Sequence, residues 1–348
     1  MNSQVKRNSN IELFRIILIF MIISHHYVVN SGITALFNSS IVTKHMIFYQ
    51  IVGFGGKIGI DAFLLITGYF MCDKKISMHK FWKLVLTIFF YRILFNIIFL
   101  ISGYLTFDIN FFINEIPIIM FLRTGNDSFT ALYIIMFLMI PYLNMVINSC
   151  SKKEYQRLLF ILLFVFTFVS TFINDNWEGL GWYCTVFLIG GYIKKYDSYI
   201  FSNIKYGIIS TFIGIILAIG SIILIDYGFL SKEFNYYFYV VGGNKLLAIF
   251  IAISLFLIFK NLKIEYNKFI NRFASATFGV FLIHANSDTM RHFLWNDVLH
   301  VTTYYSASFY VSFFHWLFSI VIIYVYCVII ELARIRFVHK IFKRKWIK

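Results

Sequence analysis

Proline occurs only twice and cysteine four times in a chain of 348 residues, and 16 acidic residues face 31 lysines and arginines. Each scarcity excludes something. With no stretch rich in Pro, Gly or Ser there is no linker to divide the chain, so a single domain over 1–348 is expected. The cysteines, Cys72, Cys150, Cys184 and Cys327, fall within apolar runs or at their ends, where no external pair can form a disulfide. There is no GxSxG elbow, P-loop, GxGxxG fingerprint or zinc-like ligand spacing, which removes support for serine-esterase, nucleotide-hydrolysing and metal-dependent chemistry; no metal is expected. Nor does any repeat mark an inverted-repeat transporter. The net charge is +15, yet no nucleic-acid motif accompanies it. The basic tail "KIFKRKWIK" reads as an anchor at anionic lipid, and nucleic acid is not expected as a partner.

What the chain has in abundance is apolar surface: 60% hydrophobic residues, 43 Phe and 23 Tyr, with a mean hydropathy of +0.77. Apolar runs of about 17–25 residues, each able to cross a roughly 30 Å hydrocarbon core, recur along the chain. The expected fold is therefore all-α: a polytopic membrane protein with about ten transmembrane helices, placed at 12–30, 48–71, 81–103, 129–149, 157–174, 178–194, 205–226, 237–259, 269–286 and 309–332. An even number of spans puts both termini on one side. Outside the spans only Lys44, Arg123, Lys232 and Arg291 fall on the opposite side, so the positive-inside rule predicts cytoplasmic termini. The first run lacks a small-residue cleavage site and carries Arg15, His25 and His26, unlike a signal peptide. The stretch "DINFFINEIPIIMFLRTGNDS", 108–128, is too short and polar for a span and reads as interfacial or re-entrant.

Charges inside spans are costly, about 2.5–3.5 kcal/mol each at the bilayer centre, so those present have partners or tasks. In "RIILIFMIISHH" eleven residues of helix bring His26 within about 20° of the Arg15 face, while His25 lies about 80° away. The two same-face residues are about 16 Å apart along the axis, which excludes contact and marks two depths of one line, like stations along a cavity. Alternatively, Arg15 snorkels beside Glu12 and the histidines sit at the outer headgroups. Lys57 and Asp61, four apart, can neutralise one another on one helix face, amid glycines that permit close helix approach. Arg92 lies inside the third span, where a structural partner is as good a reading as a site. Trp177, Trp182 and Trp295 read as interfacial aromatics or as a sugar-holding surface.

Several stretches resemble a known family. "IELFRIILIFMIISHH" is similar to the first helix of the membrane acyltransferases called acyltransferase family 3, in which an acidic residue precedes an arginine by three and a histidine follows after ten intervening residues: here Glu12, Arg15 and His26. His25 is an additional neighbour. "GIDAFLLITGYF", 59–70, resembles the family's glycine- and aspartate-containing segment through Gly59, Asp61, Phe63 and Gly68, with Thr67 where serine is usual. "HKFWKLVLTIFFYR", 79–92, resembles the basic start of its third helix, with Lys80 and Lys83 in place of adjacent arginines and no proline. "ALYIIMFLMIPYLN", "FLIGGYIKKY" and "ATFGVFLIHAN", which contains His284, extend the likeness over nearly the whole chain.

The resemblance implies transfer of an acyl group, usually acetyl, from cytoplasmic acyl-CoA to a sugar hydroxyl on the outer side. It implies His26 as general base, with His25 as the other candidate ring, and Glu12 and Arg15 deeper in the site. Arg15, Lys80, Lys83 and Arg92 would meet the donor, acetyl-CoA; Lys57, Asp61 and His284 would support substrate or structure. A histidine suits proton removal because its pKa lies near operating pH, and arginine suits a donor phosphate or carbonyl. The lysines around Lys80 read equally well as topology charge. The implied acceptor is a capsular, exo- or other cell-surface polysaccharide or its lipid-linked precursor, in the plasma membrane of a bacterium, alongside polysaccharide assembly proteins. A transporter or flippase for sugars or lipid-linked sugars is the rival reading, and a scaffold without chemistry the third.

Overall fold

The computed structural model describes residues 8–39, 41–109, 113, 128–173, 177–230 and 239–345. In chain order its main helices are α1 (Ser9–Val29), α2 (Lys44–Gly53), α3 (Gly56–Met71), α4 (Met78–Ile101), α5 (Ser128–Ser149), α6 (Lys152–Leu163, continued by further helical turns to Phe172), α7 (Leu180–Lys195), α8 (Ile204–Asp226), α9 (Leu246–Asn261), α10 (Lys268–Ala274), α11 (Thr277–His284), α12 (Asp288–His292) and α13 (Phe309–Lys345). Among the described residues there is no strand, and seven helices or near-continuous helical segments are long and apolar enough to cross a membrane. The protein is all-α and built for a bilayer. Large apolar side chains such as Leu86, Phe160, Phe212 and Tyr326 face outward, where hydrocarbon satisfies them as water cannot.

Three of the ten expected spans appear as shorter pieces. The stretch 269–286 breaks at Ser275–Ala276 because hydroxyls compete for the backbone: Ser275 Oγ donates to the Arg272 carbonyl at 2.6 Å and Thr277 Oγ1 to that of Ala274 at 2.9 Å. In the stretch 237–259 the described residues 239–245 are turns and bends, and the helix runs from Leu246, whose N–H donates to Thr171 Oγ1 at 3.0 Å. Just before it the buried Lys245 donates Nζ to the Ser170 carbonyl at 2.7 Å. The third, 178–194, is the 16-residue α7. The segment 108–128, expected to be interfacial or re-entrant, lies for the most part outside the described residues.

α1 is the hub. It packs on α2, α3, α9, α10, α11 and α13, burying Phe14, Leu18, Ile19, Ile22 and Tyr27. Phe14 stacks on Phe259 with ring centres 4.6 Å apart, and Ser9 Oγ accepts from Asn267 N at 2.8 Å, fastening the start of α1 to the start of α10. α3 and α7 approach so closely that their backbones meet. A Cβ on Gly190 would stand 2.5 Å from the Leu65 carbonyl oxygen, and one on Gly68 would overlap the Phe187 carbonyl. Small residues at the crossing are what allow this. Asn144 of α5 closes the end of α3, donating Nδ2 to the carbonyls of Met71 at 2.9 Å and Lys74 at 3.1 Å, so carbonyls at the helix end gain a donor.

α13 is tied to α4 through a buried carboxylate. Glu331 accepts from the Tyr91 hydroxyl at 2.5 Å and, through both oxygens, from Arg334 at 2.7 Å, and it lies against Gly279 of α11. Arg334→Leu leaves this carboxylate uncompensated, so unfolding should cost about 3 kcal/mol less. Thermal denaturation in detergent checks this, with Glu331→Leu/Arg334→Leu expected to recover most of the loss; an unshifted midpoint in the single variant rejects it.

Candidate functional site

α1 carries the site's two poles on one face. Towards its N-terminal end Arg15 lines a cavity with Ile19, Phe63, Thr67 and Tyr133. Its guanidinium Nη1 is 3.5 Å from Glu12 Oε1, the arginine side chain being 32% exposed and the glutamate 8%. Here Thr67 Oγ1 donates to the Phe63 carbonyl at 2.9 Å and lies 3.3 Å from the Tyr133 hydroxyl. Further along α1, His25 and His26 line a second cavity with Lys57, Tyr183 and Arg291. Four residues, Ile22, Ile60, Phe129 and Phe281, line both, so the cavities adjoin across an apolar collar.

The two histidines are held differently. His25 Nδ1 lies 2.5 Å from the Gly53 carbonyl, where α2 gives way to α3, and its ring fills the notch left by Gly56, on which a Cβ would strike it. A ring nitrogen facing a carbonyl carries the proton, which fixes the tautomer. His26 has no such tether: its Nδ1 is buried without a partner, and its ring centre lies 5.1 Å from that of His284 and 5.8 Å from that of His25. His284, fully buried at the end of α11, donates Nδ1–H to the Val280 carbonyl at 2.6 Å. Its Nε2 therefore keeps a lone pair, and that atom too is buried without a partner.

The other sequence-derived candidates separate. Lys57 does not pair with Asp61; it donates to both oxygens of Glu178, at 2.9 and 3.0 Å. Asp61 lines neither cavity. It points at α7, where Oδ1 accepts from Trp182 Nε1 at 3.1 Å. Glu178 lies just before α7 and so supplies the long-range partner that the i,i+4 spacing concealed. Arg92 is buried and lines neither cavity, donating Nη2 to Thr130 Oγ1 at 3.0 Å and joining α4 to α5. Lys80 and Lys83 are exposed on the first turns of α4, beside Leu84, which lines the Arg15 cavity. Trp182 and Trp295, read as interfacial aromatics or as a sugar-holding surface, are fully buried, and Trp295 packs edge-on against Tyr27 at 5.9 Å.

Arg291 was legible only as a loop charge. Ser287 caps the short α12, accepting from Met290 N at 3.1 Å, and this turn fixes Arg291 against Asp288, 3.0 Å away, with Nε donating to the Ser287 carbonyl at 3.3 Å. The spacing of Ser287, Asp288 and Arg291 was the available signal: a cap followed by an i,i+3 ion pair. Beyond it, the Tyr104 hydroxyl donates to Asp297, and His292 lies 3.4 Å from the same carboxylate, tying the end of α4 to the segment after α12. The Tyr104 hydrogen bond holds the Asp297 carboxyl below the usual carboxylate range.

A polytopic helical membrane protein with two adjoining cavities, one holding an arginine and the other histidines, is the class that these features define. A family model described as an acyltransferase domain matches residues 8–332. The chain belongs to that family, acyltransferase family 3, and is a membrane acyltransferase. No curated protein and no solved structure matches it.

Proposed function

We propose that the protein moves a short acyl group, acetyl in the first instance, from acyl-CoA to a sugar hydroxyl of a cell-surface polysaccharide or its lipid-linked precursor. The observation that carries this reading is the pair of adjoining cavities on one face of α1, with Arg15 on one and His26 on the other. The positive-inside rule puts the Arg15 end in the cytoplasm, where acyl-CoA is found. Arg15 meets a phosphate or the pantetheine carbonyls of the donor, and Lys80 and Lys83 add positive charge at the same end. The setting is the plasma membrane of a bacterium, with the acceptor arriving at the histidine end.

In the reaction, His26 takes the proton of the sugar hydroxyl as its oxygen attacks the thioester carbonyl carbon. The carbonyl π pair moves onto oxygen, and Arg291, facing the same cavity, stabilises that charge. Collapse restores the carbonyl, breaks the C–S bond and releases CoA thiolate, which takes the proton from His26. Asp61, buried between α3 and α7, supports the packing of those helices rather than the reactants. The testing experiment follows radiolabel from acetyl-CoA into saccharide in inverted vesicles that hold the acceptor. Label in saccharide is expected; sugar movement across sealed vesicles without acyl-CoA, and no label, supports transport instead.

Arg15→Gln removes a charge-assisted contact worth about 1.5–3 kcal/mol, so KM for acetyl-CoA should rise at least about tenfold. Initial rates across a donor series check this, and an unchanged KM removes Arg15 from the donor site.

A further inference from the structure

The collar between the two cavities has a chemistry unlike either end. It is made of Ile22, Ile60, Phe129 and Phe281, without a polar side chain among them. Phe129 and Phe281 meet edge-to-face with ring centres 4.9 Å apart, and Phe281 also stands edge-on to His284 at 6.1 Å. The rings are thus braced: Phe281 has Phe129 on one side and an imidazole, itself bonded to the α11 backbone, on another. Ile22 lies one helical turn below His26, about 6 Å along the axis of α1.

We infer that this collar is the acyl-length filter of the transfer, admitting a two-carbon acyl group and rejecting longer ones. The inference rests on the proposed acyl transfer and adds the determinant of its donor class. For the hydroxyl to attack while bonded to His26, the carbonyl carbon must come within about 3–3.5 Å of the sugar oxygen. The thioester sulfur then arrives from the Arg15 side through the collar, so the remaining substituent on that carbon, the acyl chain, lies against the collar's own side chains. The filter therefore seats the methyl of an acetyl group beside the aromatic pair, whereas a propyl group would compete with Phe281 or Phe129, or with the incoming sugar, for the same space. Two braced rings yield less readily than flexible side chains, because protein interiors are close-packed and resist small intrusions.

The test measures acyl transfer to saccharide in inverted vesicles supplied with acetyl-, propionyl- and butyryl-CoA, and reads the ratio of butyryl to acetyl product, which does not depend on how much protein is folded. Wild type is expected to favour acetyl over butyryl strongly. Phe281→Ala should raise the ratio by about tenfold or more, the size of discrimination that a methylene or two gives in an apolar pocket, and Ile60→Ala should raise it in the same direction by less. If Phe281→Ala yields no folded protein, Phe129→Leu serves in its place. A wild type that uses butyryl-CoA as readily as acetyl-CoA, or collar variants whose ratio stays at the wild-type value, overturns the filter while leaving acyl transfer intact. No transfer from any of the three thioesters by folded wild type overturns the underlying reading, and the filter with it.

Discussion

Replacing His26 by alanine should reduce acyl transfer about 10²- to 10⁴-fold, the range that a positioned general base contributes, while the protein remains folded in the membrane. The ring can be removed cheaply because its Nδ1 makes no hydrogen bond and it lines a cavity rather than filling the core. His25→Ala is the discriminating comparison. That ring is bonded to the Gly53 carbonyl and seated over Gly56, so its loss frees the junction of α2 and α3 and leaves a buried carbonyl without its donor, at a cost of about 1–3 kcal/mol. The expected pattern is a His25 variant with lowered thermal stability and residual transfer, and a His26 variant with wild-type stability and almost none. The reverse pattern would assign the chemistry to His25. Equal acyl content in the polysaccharide of cells carrying wild type and His26→Ala would falsify the base assignment outright.

The second large effect is structural. Gly68→Val should prevent assembly of the helix bundle, because its side chain would have to occupy the position of the Phe187 carbonyl, and backbone cannot swing aside as a side chain can. Overpacking of an ordinary core costs about 1–3 kcal/mol, and a clash with backbone belongs at or beyond the upper end. Gly190→Val meets the same crossing from α7, with Leu65 and Tyr69 backbone in its path. Gly220→Ala, on α8, is the control, since a Cβ there meets nothing within 4 Å. Size-exclusion profiles of detergent-solubilised protein separate the cases: loss of the monodisperse peak for the two crossing variants and retention for Gly220→Ala. A monodisperse, thermally stable Gly68→Val would show that the crossing is looser than this geometry.

Much of this architecture could be read from the chain because a bilayer imposes a length. Any run of about 20 apolar residues has to be helical to satisfy its backbone, so the places of α1, α4, α5, α8 and α13 follow from composition alone. The breaks do not. That Ser275 and Thr277 turn against their own backbone, or that Thr171 caps α9, depends on competition between local bonds and on partners distant in sequence. The common face of Arg15 and His26 was legible because one regular helix carries both. By contrast, the partner of Lys57 is Glu178, 121 positions away, and no periodicity in α3 could disclose it. Trp182 and Trp295 were misread for a related reason: in a chain apolar on nearly every face, pattern says little about which tryptophan meets lipid and which is enclosed by other helices.

The 37 residues of α13 rise about 55 Å, well beyond the roughly 30 Å of hydrocarbon. No Lys, Arg, Asp or Glu interrupts it from Phe309 until Glu331, a distance of about 33 Å. By length and composition this helix can cross the bilayer with Glu331 and Arg334 at one end of its apolar stretch and the basic residues beyond them. Because Glu331 also grips Tyr91 and abuts Gly279, the level at which α13 floats is handed on to α4 and α11. The His284 ring, at the end of the helix that holds Gly279, is in this way fixed in height relative to α13 and so to a helix whose length well exceeds the thickness of the hydrocarbon.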